Sequence, residues 1–403
     1  MKNKSLYHWL VAASCCGLMI SALGISINSS GVFFAPVAEA LGAGRGDVAM
    51  YLTIMNLITG FAGPLAARWV KKIPLTLWLA IGGLGGALCL FLWSGVTAVW
   101  QLYALAVLHG ICNTMIGAVV VNMVVNGWFA TNVGLVMGVA FSFSGLSGAL
   151  LSPLFQRVID ASGWKTAHNL AALLALIVVI PAILLVRMDP REKKLRPYGE
   201  GTAAASNKAA AAGSELAANK AYAVFVVIFA GFAAAFLSGM GQHVSGFATT
   251  VGLTAANGAL LVSAAMVGNM ASKLIFGVLS DRIGARKTFL IQQALTMLGL
   301  AGFLWLARAG FAPVLVASFL LGFTYALGSV GLTQLCRGLF AAEEGGSIYA
   351  WATMAANGGN AIASAAIGYA YDLSGSYFAA ILGCLVLQAL AWVSVMGLRK
   401  KRG

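Results

Sequence analysis

Apolar runs of about twenty residues, the length that crosses a bilayer as a helix, recur along nearly the whole 403-residue chain. The chain is 60% hydrophobic and only 9% charged, with a mean hydropathy of +0.90. Such a composition would make a water-soluble chain aggregate, whereas it suits lipid. Because backbone polar groups in lipid must pair internally, only helices and closed barrels can span it. The runs are too long and too uniformly apolar for barrel strands, so we predict membrane-spanning helices.

Twelve such runs are present, which predicts an all-α membrane protein with twelve transmembrane helices. The predicted spans cover residues 8–35, 48–67, 74–94, 98–124, 132–156, 166–187, 221–245, 257–279, 287–308, 312–335, 346–370 and 377–398. The even number of spans places both termini on the same side of the membrane.

The distribution of basic residues predicts the orientation of these spans. One side carries Lys2, Lys4, Arg68, Lys71, Lys72, Arg282, Arg286, Lys287, residues 399–402 and a basic central loop. By the positive-inside rule this side, with both termini, is cytoplasmic, and we expect a multi-pass protein of the plasma (cytoplasmic) membrane, a cell inner membrane. The net charge of +14 thereby follows from topology. No nucleic-acid partner is expected, since no basic patch is interleaved with aromatic residues on a soluble face.

Lys273 is the one charged residue that falls well inside a predicted span. Eight residues separate it from Asp281, where the run ends, and that is about 12 Å of helix. Burying an ammonium at such depth costs several kcal/mol unless it faces water or an anion, which indicates a binding or translocation site. The alternative is a lysine that extends to the interface, but its stem covers only about 6 Å of that distance. Asn269, one turn earlier, lies on the same helix face.

Matching segments on either side of a polar stretch indicate an internal duplication. The run Gly63–Arg68 reappears at Gly277–Arg282, and Asp160–Gly163 reappears at Asp372–Gly375, in the same order and at nearly constant offset. Parallel six-span repeats place a substrate site between the halves. The predicted domains are an N-terminal six-helix half at 1–187, a mobile cytoplasmic linker at 188–220, and a C-terminal six-helix half with a basic tail at 221–403.

The segment Gly277-Val-Leu-Ser-Asp-Arg-Ile-Gly-Ala-Arg-Lys287 resembles the signature loop of the major facilitator superfamily. This resemblance implies two six-helix pseudo-repeats and a gating motif on the cytoplasmic side. The first copy departs from the signature, because Ala67 stands where the acid is expected. The residues that the resemblance assigns to the gating motif are Gly63, Arg68, Gly277, Asp281 and Arg282.

Within that superfamily the chain is most similar to the monocarboxylate transporters and the oxalate/formate exchangers. The similarity lies in Asn28-Ser-Ser-Gly-Val-Phe-Phe34, in Trp128-Phe129 with the glycines that follow, and in Lys273-Leu-Ile-Phe-Gly277. It implies a substrate-binding cation at Lys273, where the family has arginine, and lysine lacks the planar fork that arginine offers to a carboxylate.

The resemblance also bears on coupling and on the charge of the substrate. Proton-coupled members carry a lysine and an aspartate where this chain has Asn28 and Asn269. Dicarboxylate exchangers carry a second cation in span 11, and residues 347–370 have no charge. One cation matches one carboxylate, so monocarboxylates are favoured over dicarboxylates.

Other polar residues inside spans are candidates for the same site. His109 and Asn113 share a helix face at i and i+4, and Asn357 and Asn360 lie in span 11. A purely structural role in interhelical hydrogen bonding is an equal alternative for each of them and for Asn28. The predicted substrate-binding set is Lys273, Asn269, Asn28, His109, Asn113, Asn357 and Asn360.

Absent features exclude several classes of function. The sequence contains no nucleophile with its base and no metal-ligand spacing, so no enzyme activity, catalytic residue, cofactor or metal is expected. The six cysteines fall in or at the ends of apolar spans and are expected to be free thiols. No aspartate or glutamate lies inside a span, so the cavity should be positive, which argues against an exporter of cationic drugs.

The sequence thus predicts a secondary active transporter of small organic anions, most consistent with monocarboxylates of the lactate, pyruvate or formate type, working by alternating access as a monomer in the lipid bilayer. Proton symport, anion exchange and uniport remain open at this point. The alternative is an efflux carrier of hydrophobic or anionic compounds, or a carrier of neutral solutes, with the same fold.

Overall fold

A computed structural model describes residues 2–70, 72–131, 133–200, 219–306, 309–340 and 342–398, and these residues are almost entirely helical. The α-helices are α1 (Lys2–Met19), α2 (Gly31–Leu41), α3 (Arg45–Trp69), α4 (Leu75–Trp93), α5 (Val99–Ile116), α6 (Ala118–Trp128), α7 (Val133–Leu185), α8 (Lys220–Thr250), α9 (Ala255–Ile283), α10 (Ala285–Trp305), α11 (Phe311–Leu321), α12 (Thr324–Ala326), α13 (Leu332–Leu339), α14 (Ala342–Ser374) and α15 (Phe378–Met396). Two π-helical segments, Ile20–Asn28 and Leu327–Gly331, join helices within spans 1 and 10.

The predicted all-α membrane architecture is confirmed. In the described ranges nine helical stretches are long and apolar enough to cross a membrane, and one of them, Leu135–Leu185, is long enough for two spans. The two remaining predicted spans correspond to α3 and α14. In the described ranges, each predicted span therefore lies on helix over most of its length.

The connection between spans 5 and 6 differs from the expected loop. The chain stays helical from Val133 to Leu185 except at Gly163, where φ is 84° and ψ is 163°. A positive φ strains any residue with a side chain, so glycine makes the reversal there in a single residue. The apolar pattern marks where each span ends, but it does not reveal how short the connection can be.

Contacts divide the chain into two compact units. Unit 1 comprises residues 1–30 and 54–211, and unit 2 comprises residues 31–53 and 212–403. The segment 31–53 therefore belongs by its contacts to unit 2, although the chain on either side of it belongs to unit 1.

Unit 1 is built around α7, against which α1, α4 and the first π-helical segment pack. Its buried core is aliphatic in the middle and aromatic at one end, where Trp128 and Phe129 are almost fully buried. The indole nitrogen of Trp128 donates to the carbonyl of Arg187 at 2.7 Å, so the end of span 4 is tied to the end of span 6.

The first part of the predicted linker, residues 188–200, makes defined contacts with unit 1. Tyr198 donates its backbone N–H to Trp128 at 2.8 Å and accepts from Ala130 at 2.9 Å. His8 lies 2.9 Å from the carbonyl of Arg196 through Nε2. Aromatic contacts and backbone hydrogen bonds thus hold this part of the linker on unit 1. Residues 201–218 of the predicted linker lie outside the described residues.

Unit 2 places α8 at its centre, packed on α9, α14 and α15. Its core contains three fully buried glutamines. Gln292 donates to the carbonyl of Phe323 at 2.9 Å, Gln293 donates to Gln388 at 3.2 Å, and Gln388 donates to the carbonyl of Ala233 at 2.8 Å. Polar side chains in a membrane helix bundle hydrogen-bond across helices, and this network joins α10, α15 and α8.

Candidate functional site

Lys273 lies in unit 2, about two thirds of the way along α9. It precedes the end of that helix at Ile283 by ten residues, which is about 15 Å along the axis. Its side chain is half-buried. Within the described part of the chain, the ammonium touches no carboxylate and donates no hydrogen bond. Since an unpaired ammonium is costly at this depth, the position is chemically suited to an anionic ligand.

Asn269 lies one helical turn from Lys273 and is 2% exposed. Its amide oxygen is buried and meets no donor among the described residues. Leaving a buried acceptor unmatched costs about 1–3 kcal/mol, so such an atom calls for an explanation. An amide that faces a ligand provides one, because the oxygen can accept from a hydroxyl and, with the amide turned over, the nitrogen can donate to a carboxylate.

A glycine of span 10 fixes the position of this part of α9. A Cβ atom at Gly322 would lie 1.9 Å from the carbonyl oxygen of Ala265 and 2.9 Å from the backbone nitrogen of Asn269. Only the absence of a side chain lets the two helices approach this closely. Asn269 is therefore held between its own helix and the backbone of span 10.

A second cluster of polar side chains in unit 2 connects the three helices α8, α12 and α14. Ser238 on α8 has its hydroxyl 2.6 Å from the carbonyl of Ala235 and 3.3 Å from the amide oxygen of Asn360 on α14. The hydroxyl of Tyr325 on α12 lies 3.5 Å from the carbonyl of Ser238. Asn360 is thus part of a local polar cluster, whereas Asn357, on the preceding turn of α14, is exposed.

The sequence did not identify Ser238 and Tyr325 as members of this cluster. A serine in an apolar span is common and carries no signal by itself. The one available signal for Tyr325 is its position three residues after Gly322, at the point where span 10 approaches α9.

The other three candidates belong to unit 1, and two of them have interhelical hydrogen bonds there. Asn28 donates from Nδ2 to the carbonyl of Ser144 at 2.9 Å, which joins span 1 to span 5. His109 is 2% exposed and lies 2.9 Å from the hydroxyl of Ser26 through Nε2. Asn113 is 3% exposed, and its amide oxygen is buried without a donor among the described residues.

The first π-helical segment explains the geometry of these contacts. Ser26 and Asn28 both lie in it, and the wider π turn changes which residues share a face, often at functional positions. Asn28 and His109 are each engaged with a neighbouring helix of unit 1, while Lys273, Asn269, Asn357 and Asn360 lie in unit 2. Each group of candidates is thus organised within its own unit.

The residues of the predicted gating motif lie at the ends of α3 and α9. Gly63 is buried on α3, where a Cβ would meet the side chain of Val119 at 4.0 Å, and Arg68 in the last turn is exposed. Arg282 is exposed in the last turn of α9. The surroundings of Gly277 and of the Asp281 side chain lie outside the described residues, although α9 runs through both positions.

The structure reveals one further residue of the second signature loop. Arg286 donates from Nε to the carbonyl of Val395 at 3.2 Å and from a terminal nitrogen to the carbonyl of Met396. These carbonyls belong to the last turn of α15, where the regular hydrogen bonds of the helix end; the carbonyl of Val395 also accepts from the backbone N–H of Leu398 at 3.3 Å. A cation at a helix C-terminus is also favoured by the helix dipole. The second signature loop thus places an arginine where it caps the final span.

Among the described residues, no group of three histidine, cysteine, aspartate or glutamate side chains is arranged to hold a metal ion. The six cysteines are free thiols. The polar groups available inside the described spans are therefore the ammonium of Lys273, amides, hydroxyls, imidazoles and thiols.

Comparison with known proteins identifies the family. The Major Facilitator Superfamily profile matches residues 14–256 and 224–402. The chain is similar to human Monocarboxylate transporter 11, with 24% identity over 306 residues that cover 73% of this chain and 61% of the relative. It is also similar to the Riboflavin transporter RibJ of Trypanosoma cruzi, with 30% identity over 137 residues covering 33% of this chain and 28% of that protein.

Solved structures show the same fold at lower sequence identity. The nucleoside transporter NupG, in the crystal structure of a point mutant, superposes with a TM-score of 0.75 at 12% identity, covering 96% of this chain and 99% of that one. A bacterial homologue of the human lysosomal transporter Spinster gives a TM-score of 0.67 at 12% identity, covering 98% and 97%. The chain spans about three fifths of the length of the first curated relatives that it matches.

These matches extend over both halves of the sequence and agree with the helical architecture. The relatives and the structural neighbours are transporters, and the predicted exclusion of an enzyme is in accord with them. The chain is a multi-pass membrane protein that belongs to the Major Facilitator Superfamily.

Proposed function

We propose that the protein is a secondary active transporter of small monocarboxylates, and that Lys273 is the residue that pairs with the substrate carboxylate. The observation that carries the proposal is the half-buried ammonium of Lys273, which contacts no carboxylate in the described ranges. The names of the monocarboxylate transporters to which the chain is similar point the same way.

The charge balance gives the mechanism a physical basis. An empty site carries the charge of one ammonium, whereas a site with one monocarboxylate bound is neutral. Closing the protein around a neutral pair costs less than burying a single charge in a medium of low dielectric constant. A monoanion therefore promotes closure, and a dianion would leave one uncompensated negative charge. This charge balance favours loading before the transporter changes state.

Asn269 determines which monocarboxylate fits best. Its buried amide oxygen lies one turn from Lys273 and meets no donor among the described residues. A hydroxyl next to a carboxylate, as in a 2-hydroxy acid, can donate to that oxygen while the carboxylate pairs with the ammonium. A 2-oxo acid has no such hydrogen, so it would need the amide to turn over and donate. Asn113, Asn28, His109, Asn357 and Asn360 complete the proposed polar surface.

In this proposal, transport proceeds by alternating access of two six-helix halves, residues 1–187 and 221–403, joined by the linker 188–220. Gly63, Arg68, Gly277, Asp281 and Arg282 form the gating motif on the cytoplasmic side. The protein acts as a monomer in the cytoplasmic membrane, with both termini inside, and couples the anion to a proton or to a second anion. The imidazole of His109, which lies 2.9 Å from the hydroxyl of Ser26, is the candidate proton carrier.

A counterflow experiment tests the substrate class. Proteoliposomes are loaded with one unlabelled acid from a panel of formate, acetate, lactate, pyruvate, oxalate and succinate, with uridine as a neutral compound, and entry of each labelled compound is followed. Monocarboxylates should exchange, and lactate should exceed acetate because of its hydroxyl. Exchange of oxalate, succinate or uridine with no exchange of any monocarboxylate would reject the proposal.

A further inference from the structure

The segment of residues 31–53, here called the outer segment, belongs to unit 2 and packs on the rest of that unit. It comprises α2, a turn and the first two turns of α3. In the predicted orientation it lies on the side of the membrane opposite both termini. The chain before it and after it belongs to unit 1, so its packing on unit 2 needs specific contacts.

The carboxylate of Asp372 binds the beginning of α3. Asp372 accepts from the backbone N–H of Arg45 at 3.1 Å and from that of Gly46 at 2.8 Å, through its two oxygens. These N–H groups lie in the first turn of a helix and have no partner within it. A carboxylate there is stabilised both by the hydrogen bonds and by the positive end of the helix dipole. Asp372 on α14 thus serves as the cap of a helix 327 residues earlier in the chain.

The guanidinium of Arg45 makes the reciprocal contact. It donates to the carbonyl of Gly246 at 3.3 Å and to the hydroxyl of Tyr377 at 3.4 Å. It also lies over the ring of Tyr371, 4.6 Å from the centroid, in a cation–π arrangement. Arg45 therefore reaches the end of α8 and the loop between α14 and α15.

A second carboxylate interlocks with the first. Asp47 accepts from the hydroxyl of Tyr369 on α14 at 3.0 Å and from the backbone N–H of Gly44 at 3.1 Å. Each side of the contact thus supplies one carboxylate to the other, Asp372 from α14 and Asp47 from α3.

Glycines allow the backbones to approach at this contact. A Cβ at Gly368 would lie 2.6 Å from Cα of Gly46, and a Cβ at Gly31 would lie 2.1 Å from the carbonyl oxygen of Gln242. Such positions tolerate no side chain, because the opposing atoms are backbone and cannot rotate away. These backbone contacts form only when the outer segment packs directly against α8 and α14.

The corresponding aspartate of the first repeat lacks this role. Asp160 precedes Asp372 by 212 positions and is followed by the same Ser-Gly pair two residues later. In the described part of the chain, its carboxylate accepts only from Gln156, four residues earlier in the same helix, at 2.8 Å. The two repeats thus use the same residue differently, and Asp160 offers a matched control.

We propose that Asp372, Arg45, Asp47, Tyr369 and the glycine pair Gly46 and Gly368 form a latch that holds the outer segment on unit 2 and closes the outer side of the transporter. The latch rests on the proposed alternating access, since release of the outer segment is the opening event. Closure thus depends on one carboxylate capping a helix from the other repeat, together with a backbone contact that only glycine permits.

Site-specific labelling tests the latch without any substrate. A cysteine is introduced at Ala49, which is fully buried in the outer segment, and its reaction with a membrane-impermeant maleimide is timed in right-side-out vesicles. The protein without this cysteine gives the background from the native thiols. Asp372→Asn, which keeps the shape but removes the charge, should raise the labelling rate by about tenfold, the ratio that corresponds to about 1.4 kcal/mol. Gly368→Ala should raise it as well.

Two control variants separate the latch from general damage. Asp160→Asn should label at the parent rate, and Asp372→Glu, which retains the carboxylate, should label more slowly than Asp372→Asn. Equal rates for Asp372→Asn and the parent, or for Asp160→Asn and Asp372→Asn, would overturn the latch. Monodisperse elution of each variant verifies folding. Because no substrate is used, failure of the monocarboxylate proposal would leave these rates unchanged, and failure of the latch would leave the counterflow panel unchanged.

Discussion

Replacing Gly322 by alanine tests the close approach that positions Asn269. The added Cβ would lie 1.9 Å from the carbonyl oxygen of Ala265, 2.7 Å from its carbonyl carbon and 2.9 Å from the backbone nitrogen of Asn269. All three atoms are backbone, so no rotation of a side chain can relieve the clash. Span 10 and α9 must move apart or distort.

The size of the effect follows from the distances. A carbon and a carbonyl oxygen approach to about 3.3 Å in close but ordinary contacts, so the helices must separate by about 1.4 Å. Overpacking of this kind typically costs about 1–3 kcal/mol. A loss of 1 kcal/mol lowers the melting temperature of a folded unit of about 150–250 residues, such as unit 2, by about 2–4 °C. The apparent melting temperature should therefore fall by about 2–12 °C. Asn269 would move with its helix, so monocarboxylate uptake should also fall.

Gly328 provides the matched control for this substitution. It lies in the same span, and a Cβ there would meet no atom within 4 Å. Gly328→Ala should leave the melting temperature unchanged or raise it, because alanine is the better helix former. Thermal unfolding of the purified proteins in detergent, followed by a thiol-reactive dye, provides the comparison. Equal melting temperatures for the two variants would refute the proposed contact between span 10 and α9.

Three further substitutions test other parts of the structure. Asn269→Asp places a carboxylate one turn from Lys273, and the resulting internal ion pair should lower anion uptake at least tenfold. The variant should still elute as a single species. Unchanged anion uptake would contradict the role of Lys273 as the partner of the substrate. Arg286→Ala removes the cap of α15 and should lower the free energy of unfolding by about 1 kcal/mol. Lys287→Ala, at the exposed neighbouring position, should change that free energy by less than about 0.5 kcal/mol. Equal melting temperatures for these two variants would contradict the capping role of Arg286. Gln388→Ala leaves buried hydrogen-bonding groups without partners and should cost about 2–4 kcal/mol, measured as a lower melting temperature; a stability like that of the parent would contradict this.

The sequence was sufficient for the fold because the relevant signal is local. Each span is a continuous apolar run, and Lys273 stands out because it interrupts one of them. The superfamily signature at Gly277–Lys287 could likewise be found in a single stretch of sequence. These features can be identified without knowing which helices pack against each other.

The remaining features depend on contacts between distant residues, which no local pattern encodes. The grouping of residues 31–53 with unit 2 accompanies the packing of α2 on α8 and the capping by Asp372 of the helix that begins at Arg45. The first part of the linker contacts unit 1 through backbone pairing between Tyr198 and Trp128. The π turns within spans 1 and 10 leave the apolar composition unchanged, so the hydropathy pattern gave no sign of them.

The candidate site could be predicted only in part from the sequence, because some of its contacts join residues that are distant in the chain. Lys273 and Asn269 could be paired from their spacing on one helix. The contacts of Asn28 with Ser144 and of Asn360 with Ser238 join different helices, and a spacing argument cannot predict them.

Equilibrium binding to purified protein is the most direct test of the claim that Lys273 pairs with the substrate carboxylate. The monocarboxylate with the fastest counterflow is used as the radiolabelled ligand, and Kd is measured for the parent, Lys273→Arg and Lys273→Ala. A hydrogen bond to a charged group contributes about 1.5–3 kcal/mol, so Lys273→Ala should raise Kd by about 10- to 150-fold, and Lys273→Arg should lie between the two. A Kd for Lys273→Ala equal to that of the parent would contradict the account.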